Sequence, residues 1–447
     1  MSEAKHEGDF GEKIIDDYVE LFSLNSFKNI LYGKISFHVI LGQALSEHIY
    51  YKQGAREIDP RVHMLLIKPQ GTGKGAGYGF VERMSKSIGL DFQSLTESTD
   101  AGLVGTIEND EIVPGLLQSA DIIGMEEASV LFDYNTDFSK KNMTYMQITM
   151  NALKDSSCHI SKRLGTETIE FKPHASFVLM SYPPDKLVDK LLKTGFIDRV
   201  IPIFEDVTLL DRLEIISAML KNINAITKES FNKKFNSLKE RINVIVKTYE
   251  KSRIPITIPE EIHKVSFKII NEFANRVQTA SPKAREKLEH FITRLHETLL
   301  KLAIHHAVLE RRTVVNTSDM LYARKLYWPI WTNLIISIEE LLIISPQERA
   351  RRHRVIRTSL DEYDRQIKLK EFVKQKVWVR RATMLENLRG LWDNCSADTA
   401  DKCLSRLEKS PELDFMDFDI SKYETDKYFE TKVIGGHTAY VRKIKDI

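Results

Sequence analysis

Val62-His63-Met64-Leu65-Leu66-Ile67-Lys68-Pro69-Gln70-Gly71-Thr72-Gly73-Lys74 is the stretch that decides the reading of this 447-residue chain. Residues 62–67 are a short apolar run, the pattern of a buried strand. The run ends at a glycine-rich loop, and residues 76–90 suit a helix in spite of Gly77 and Gly79. Strand, glycine loop and helix in that order are the setting in which a P-loop works. Small residues let successive backbone N–H groups point at phosphate oxygens, and the following helix adds its positive end. Pro69, Gln70, Gly71, Thr72, Gly73, Lys74, Gly75 and Ala76 are therefore the candidate phosphate cradle, with the Lys74 ammonium aimed at the β- and γ-phosphates. The full pattern is G-x-x-x-x-G-K-[ST]. Here Lys68 stands at the first glycine, and Gly75 stands where a hydroxyl residue normally ligates magnesium. Thr72 or a water would have to supply that ligand. The loop implies ATP and Mg2+ as cofactors.

Working outward, a second apolar run, Asp121 to Met125, ends at Glu126-Glu127. After a P-loop, the first carboxylate would orient magnesium and its waters, and the second would polarise an attacking water. Two further runs follow: Ser176 to Met180, ending at Ser181-Tyr182-Pro183-Pro184, and Val200 to Phe204. Four short apolar strands with helices between them predict an α/β fold with a parallel sheet covered on both faces. Residues 1–60 read as a helical segment and 61–207 as the P-loop core. Residues 208–345 read as helices without a strand pattern, lysine-rich and amphipathic over 211–252. Residues 346–375 form a basic linker that includes Gln347 to Arg357. In 376–447, two short helix candidates, 383–391 and 397–409, precede alternating segments Tyr428 to Val433 and Thr438 to Lys443 about Gly435-Gly436. Helix, turn, helix and hairpin predict a winged helix.

Composition narrows the classes. Hydrophobic residues make up 42% of the chain, enough for real cores, and charged residues 29%. A net charge of +2 does not announce a nucleic-acid partner, so any DNA surface must come from local clusters. Cys158, Cys395 and Cys403 form no CxxC pair and have no histidine at zinc-finger spacing. That argues against a disulfide framework or a structural zinc site and for a reducing, cytoplasmic setting. The opening MSEAKHEGDFGEK has no apolar core of a secretory signal. The apolar stretch from Leu334 to Ile344 carries Glu339 and Glu340 and is too short to span a bilayer. His296, His305 and His306 are not at HExxH spacing and read as packing or surface residues.

Four further segments, in order, carry a resemblance to the minichromosome maintenance (MCM) helicases of the AAA+ class. They are Ala101 to Gly105 with Pro114 to Asp121, then Met146 to Asn151 with Ile160 to Gly165, then Gly195-Phe196-Ile197-Asp198-Arg199, and Arg294 to Ala303. They are similar to the family's GLTA and PGALVLAD run, its MEQQ helix and presensor hairpin, its GLLSRF arginine-finger motif and its RxLExxIRLA lid helix. The likeness covers about Val62 to Leu326 and the tail. It implies an AAA+ core, an α-helical lid and a ring, normally a hexamer, with ATP at subunit boundaries. Arg199 would act as arginine finger and Arg294 as sensor 2, both on a neighbour's nucleotide. Lys162 matches the pore-hairpin lysine, and with Arg163 it is expected at a hairpin tip that touches DNA phosphates. Ser181 and Tyr182 fall at sensor 1, where the family has asparagine before the proline, and Glu126 replaces the family's aspartate. The chain resembles the motor half of such a helicase, without OB-fold or zinc module, as in shorter relatives from viruses, plasmids and mobile elements. The implied partners are single-stranded or forked DNA, other copies of the chain, and a replication initiator, primase or polymerase, with no membrane. A replication initiator or DNA-binding switch without unwinding, and a protein-remodelling ATPase, are the other classes open. Basic residues on the pore hairpin favour DNA, whereas a remodeller more often presents an aromatic there.

Overall fold

Ile30–Leu45 is apolar nearly all round, which in a helix means burial on every face. It forms α2, and α1 (Phe10–Asn25) packs beside it. The structure, a computed structural model, describes residues 10–27, 29–95, 100–108, 111–129, 137–150, 160–164, 167–182, 195–205, 207, 209–222, 227–250, 253–342, 378–380, 414–415, 418–419, 429–434 and 437–442. The chain divides into two compact units, Met1–Leu342 and Ile343–Ile447.

In the first unit α2 is followed by a hairpin, β1 (Ile49–Gln53) and β2 (Arg56–Ile58). Then come β3 (Met64–Ile67), α3 (Lys74–Ser87), β4 (Phe92–Ser94) and α4 (Asp100–Val104). A second hairpin, β5 (Gly105–Glu108) and β6 (Glu111–Pro114), leads through α5 (Leu116–Ser119) to β7 (Ile122–Met125) and α6 (Asp137–Met150). A third hairpin, β8 (Ile160–Leu164) and β9 (Glu167–Phe171), precedes β10 (Ser176–Ser181) and β11 (Ile201–Phe204). The helices α7 (Leu209–Asn222) and α8 (Lys228–Tyr249), the short strand β12 (Ile254–Ile256), and the helices α9 (Glu260–Gln278), α10 (Pro282–Leu309) and α11 (Thr317–Leu342) complete the unit.

The architecture is α/β, with a five-stranded parallel sheet in the order β11–β3–β10–β7–β4. Every residue of β3, β7, β10 and β11 is buried. That is why these strands read as continuous apolar runs rather than alternating ones. The register sets Ile67 beside Ser181 and Phe204, so β3, β10 and β11 end level with one another. α3 tolerates Gly77 because it needs it: a Cβ there would meet Tyr32, Phe22 and Ser26 at 2.6 to 2.8 Å. The glycine lets α3 lie directly against the junction of α1 and α2. In α8, Phe235, Leu238, Ile242, Ile245 and Tyr249 are buried at alternating spacings of three and four, the amphipathic stripe its sequence predicts.

Three expectations are corrected. The first 60 residues are not all helical, since residues 49–58 make the β1/β2 hairpin. The region after 208 does contain a strand: β12 pairs in parallel with β1, Ile254 opposite Ile49. Three residues around Pro255 are too few to display a period. The sheet has a fifth strand, β4, whose Phe92-Gln93-Ser94 is equally short and is only partly apolar.

Entry into β3 is pinned by a buried ion pair. Arg61 donates from its backbone N–H and Nε to Asp59 Oδ1 (3.0 and 3.1 Å) and from Nη2 to Oδ2 (2.8 Å). Burial alone would raise the Asp59 carboxyl, but the charge and hydrogen bonds of Arg61 outweigh it and hold it at about 2. Its folded pKa is thus depressed, so the pair stabilises above the unfolded carboxylate range and is lost as pH falls toward 2. Asp59→Asn leaves Arg61 buried without this counter-ion, and the expected cost is about 3–5 kcal/mol. Urea unfolding at neutral pH checks this, and an unchanged midpoint would contradict it.

In the second unit, β13 (Trp378–Arg380), β16 (Phe429–Ile434) and β17 (His437–Arg442) form an antiparallel sheet in the order β13–β17–β16. β14 (Asp414–Phe415) pairs with β15 (Phe418–Asp419). Ile434 lies opposite His437, so β16 and β17 pair as antiparallel neighbours, as expected. The helix candidates at 383–391 and 397–409 and the basic segment at 347–357 lie outside the described residues. Among those described, no helix is long and apolar enough to cross a membrane.

Candidate functional site

The glycine loop leaves the carboxyl end of β3 with Gly71 and Gly73 at φ 72° and 78°, the left-handed region that glycine enters without strain. α3 begins at Lys74. The loop's carbonyls are held from behind. Ser26 Oγ donates to the Gly73 carbonyl (2.8 Å), Asn29 Nδ2 to the Thr72 carbonyl (2.9 Å), and Arg212 Nη1 to the Gln70 carbonyl (2.8 Å). In a trans peptide, C=O and the next N–H point opposite ways. Fixing those carbonyls therefore aims the amides of Gly71, Gly73 and Lys74 outward, as a phosphate cradle needs.

Lys68 explains its own departure from the P-loop pattern. Its buried ammonium bonds Asn29 Oδ1 and Glu205 Oε2, tying the loop to the α1–α2 junction and to the residue after β11. Thr72 does not take over the missing hydroxyl's position. It is 1% exposed and donates into the loop, to the Pro69 carbonyl at 2.8 Å. Ser26, Asn29, Glu205 and Arg212 were not legible as site residues. They come from distant parts of the chain, and no local pattern marks them.

Lys74, Glu127, Ser181 and Tyr182 come together as one cluster. Lys74 Nζ donates to the carbonyls of Lys68 (2.5 Å) and Ser181 (3.1 Å), and it lies 3.9 Å from the centre of the Tyr182 ring. Burial lowers its pKa to about 8, with Glu127 opposing the shift and Lys68 adding to it. Tyr182 OH donates to Glu127 Oε1 at 3.4 Å. Ser181 contributes its carbonyl, because its hydroxyl turns to the Tyr182 carbonyl at 3.0 Å. Glu126 takes a different direction. An ideal Cβ on Gly75 would stand 3.1 Å from Glu126 Oε1, so this exposed carboxylate lies close beside the start of α3. A carboxylate beside an amide cradle suits a divalent cation held jointly with phosphates. The donor set thus fits ATP and Mg2+, with Glu126 on the metal and Lys74 on the phosphates.

An ammonium with a pKa near 8 is half neutral at that pH. Binding a phosphate restores the proton, so nucleotide binding at pH 8.5 is expected to take up a substantial fraction of a proton. Affinity should fall toward about tenfold per pH unit above the free-site value. Calorimetry in buffers of different ionisation enthalpy reads the uptake directly, and zero uptake would contradict it.

Arg199 and Arg294 lie apart from this cluster. Both line a small cavity with Val62, His63 and Ile201, at the amino ends of β3 and β11. Arg199 Nη1 donates to the Gly195 carbonyl and to Asp198 Oδ1 (3.1 Å), and Arg294 lies 3.5 Å from Glu297 Oε2. Burial raises the Asp198 carboxyl in spite of both guanidiniums. The length of β3, roughly 13 Å for four residues, separates these arginines from the loop of their own chain.

Lys162 and Arg163 are not at the hairpin tip. They pair with Ile169 and Thr168 inside the β8/β9 ladder, which continues to Leu164 opposite Glu167. Lys162 is half-buried and donates to the Gly105 carbonyl at 3.3 Å, whereas Arg163 is exposed. A hairpin is present, but β8 runs on through both residues, since a strand's register and extent depend on its partner and are not visible in the strand alone.

The histidines are packing groups, as expected. His305 donates from Nε2 to the Pro60 carbonyl (2.8 Å), which makes its Nδ1 the acceptor for His38 Nδ1–H (3.2 Å) and His38 Nε2 the acceptor for Tyr322 OH (2.8 Å). Burial lowers both histidines, His305 to about 4, so this chain of neutral rings is self-consistent. His306 bonds Asp319, and His296 bonds Ser266. Among the described residues, no group of histidine, cysteine and acidic side chains is arranged to hold a metal by itself.

No protein-family model matches the chain, and no curated protein matches it.

Proposed function

We propose that this chain is an MCM-like AAA+ ATPase that binds Mg2+-ATP at the Gly71–Ala76 loop, assembles into a ring, normally a hexamer, and translocates on or unwinds DNA. The observation that carries the reading is the division of its charged groups. Lys74, Glu126, Glu127 and Tyr182 gather at the carboxyl ends of β3, β7 and β10, where open parallel sheets bind ligands. Arg199 and Arg294 gather at the opposite end. Arginines placed there serve no nucleotide of their own chain but are available to a neighbour's, as a ring requires. Bound Mg2+ would neutralise charge on the transferred phosphoryl group. Glu127, beside Tyr182 and Lys74, is the carboxylate to orient the attacking water. Helices α9–α11, with Arg294 on α10, are the proposed lid. The three-stranded sheet of the second unit is the proposed wing of a winged helix.

A second reading, an ATP-dependent initiator or DNA-binding switch without unwinding, is favoured by one observation: the Lys162 ammonium is engaged by the Gly105 carbonyl within the chain. Three measurements on the purified chain separate the readings: ATPase activity with and without single-stranded DNA, the mass of the assembly, and unwinding of a forked duplex. The motor reading expects stimulation by DNA, a closed oligomer and unwinding. Replacing Lys162 and Arg163 with alanine should leave basal ATPase near wild type and abolish stimulation. It should also lower the slope of log affinity against log salt by about one to two units per bound subunit. If that variant unwinds like wild type, DNA does not pass β8, and the initiator reading is the better one.

A further inference from the structure

Arg199 closes a single 3-10 turn, Ile197–Arg199, just before β11. An arginine that serves a neighbour's nucleotide has to extend away from its own chain. This one is folded back onto it. Its Nη1 donates to the Gly195 carbonyl and, at 3.1 Å, to Asp198 Oδ1. Gly195 has φ 64°, in the left-handed region that favours glycine. A Cβ there would stand 2.8 Å from the same Nη1, so the guanidinium rests directly against the Gly195 backbone. Both charged partners are mostly buried, with 21% of the Arg199 side chain and 17% of the Asp198 side chain exposed. A charge-assisted bond shielded in this way is stronger than an ion pair out in water. Arg294, which lines the same cavity, is held more loosely. It lies 3.5 Å from Glu297 and is 39% exposed, and Lys301 claims the same carboxylate at 2.8 Å.

We propose that Asp198 is a latch that keeps Arg199 retracted, and that a neighbouring subunit's nucleotide draws the arginine out by competing for its guanidinium. Asp198 is then a positioning residue, which acts through Arg199 and touches no nucleotide itself. A phosphate offers a guanidinium the same forked, charge-assisted hydrogen bonds as a carboxylate. The release is therefore an exchange of one anionic acceptor for another, with no covalent step. Such an exchange shifts only as far as the two acceptors differ in their hold on the arginine. A chain without a neighbour keeps its arginine in the seat, and a chain docked against a loaded loop gives it up. The latch thus ties the arginine's reach to assembly.

The proposal rests on the reading of Arg199 as a group that acts in trans, and two measurements tell the two apart. The first is phenylglyoxal labelling of the dilute, nucleotide-free full chain, read arginine by arginine by mass spectrometry, for wild type, Asp198→Asn and Asp198→Glu. In wild type Arg199 should react more slowly than Arg294. Asp198→Asn keeps the shape and removes the charge, so Arg199 should react at least about threefold faster, as the loss of a charge-assisted bond implies. Asp198→Glu keeps the charge and should stay near wild type. Arg61, buried on Asp59, is the reference for an intact fold and should not change. An unchanged Arg199 rate in Asp198→Asn, or a rise that Arg61 shares or that Asp198→Glu reproduces, would overturn the latch. In the second measurement, Lys74→Ala protein with and without Asp198→Asn is the arginine donor to Arg199→Ala protein. With donor limiting, the unlatched donor should restore about threefold more ATPase activity, whereas a residue that only supports the fold would make it restore less. Equal or lower restoration would overturn the latch. No restoration by either donor would overturn the action in trans, a failure that faster labelling of Arg199 in Asp198→Asn distinguishes from failure of the seat.

Discussion

Lys74→Ala is expected to lower ATP turnover by about 10²–10³-fold, the cost of removing one preorganised donor from developing phosphate charge. The structural reason is that the Lys74 ammonium, at the start of α3, bonds carbonyls and no carboxylate. The other nearby lysine, Lys68, is committed to Glu205 and Asn29. Lys74 also bonds the carbonyls of Lys68 and Ser181 and so joins the ends of β3 and β10. The variant's unfolding midpoint should therefore be recorded beside its turnover. With the fold intact, turnover within about twofold of wild type would mean that Lys74 makes no contact specific to the transition state, and the P-loop assignment would fall.

The second large effect is expected across a subunit boundary. Arg199→Ala and Lys74→Ala proteins, each nearly inactive alone, should regain ATPase activity when mixed. Some mixed interfaces then pair an intact loop, from the first protein, with an intact arginine, from the second. An arginine finger supplies about 10³-fold or more in turnover, so even a minority of repaired interfaces stands well above background. The geometry makes the test sharp. With Arg199 at the amino end of β11 and the loop beyond the carboxyl end of β3, in parallel register from Ile201–Met64 to Phe204–Ile67, no rotamer of Arg199 serves its own loop. Removing it also leaves Asp198 with one guanidinium fewer, so assembly and stability of each protein must be verified before mixing. No recovery in verified mixed assemblies would sink the action in trans.

Much of the site was legible because its chemistry is local. Gly71, Gly73 and Lys74 follow one another, and backbone amides at a helix start need only that short run. The buried strands were legible for a similar reason: Met64–Ile67 and Ser176–Ser181 are covered on both faces, so nearly every residue is apolar. What was not legible depends on partners distant in the chain. Nothing in Ser26 or Asn29 announces that they hold the carbonyls of Gly73 and Thr72. Lys68 departs from the motif locally, and the Glu205 that pairs with it is distant in the chain. Lys162 and Arg163 lie within the ladder because the partner strand sets register, and a local strand-loop-strand pattern does not carry it.

The sequence by itself determined the α/β class, the loop that starts α3 and the two glutamates after β7, since these follow from local period and from residues that act where they stand. Only the tertiary structure decided how the charges are shared. It set Glu127 toward Lys74 and Tyr182, Glu126 toward Gly75, and Arg199 and Arg294 at the far end of the sheet. The physical reason is that strand order and register, β10 between β3 and β7 and β11 outside β3, arise from packing five strands against one another, and no single strand carries that information.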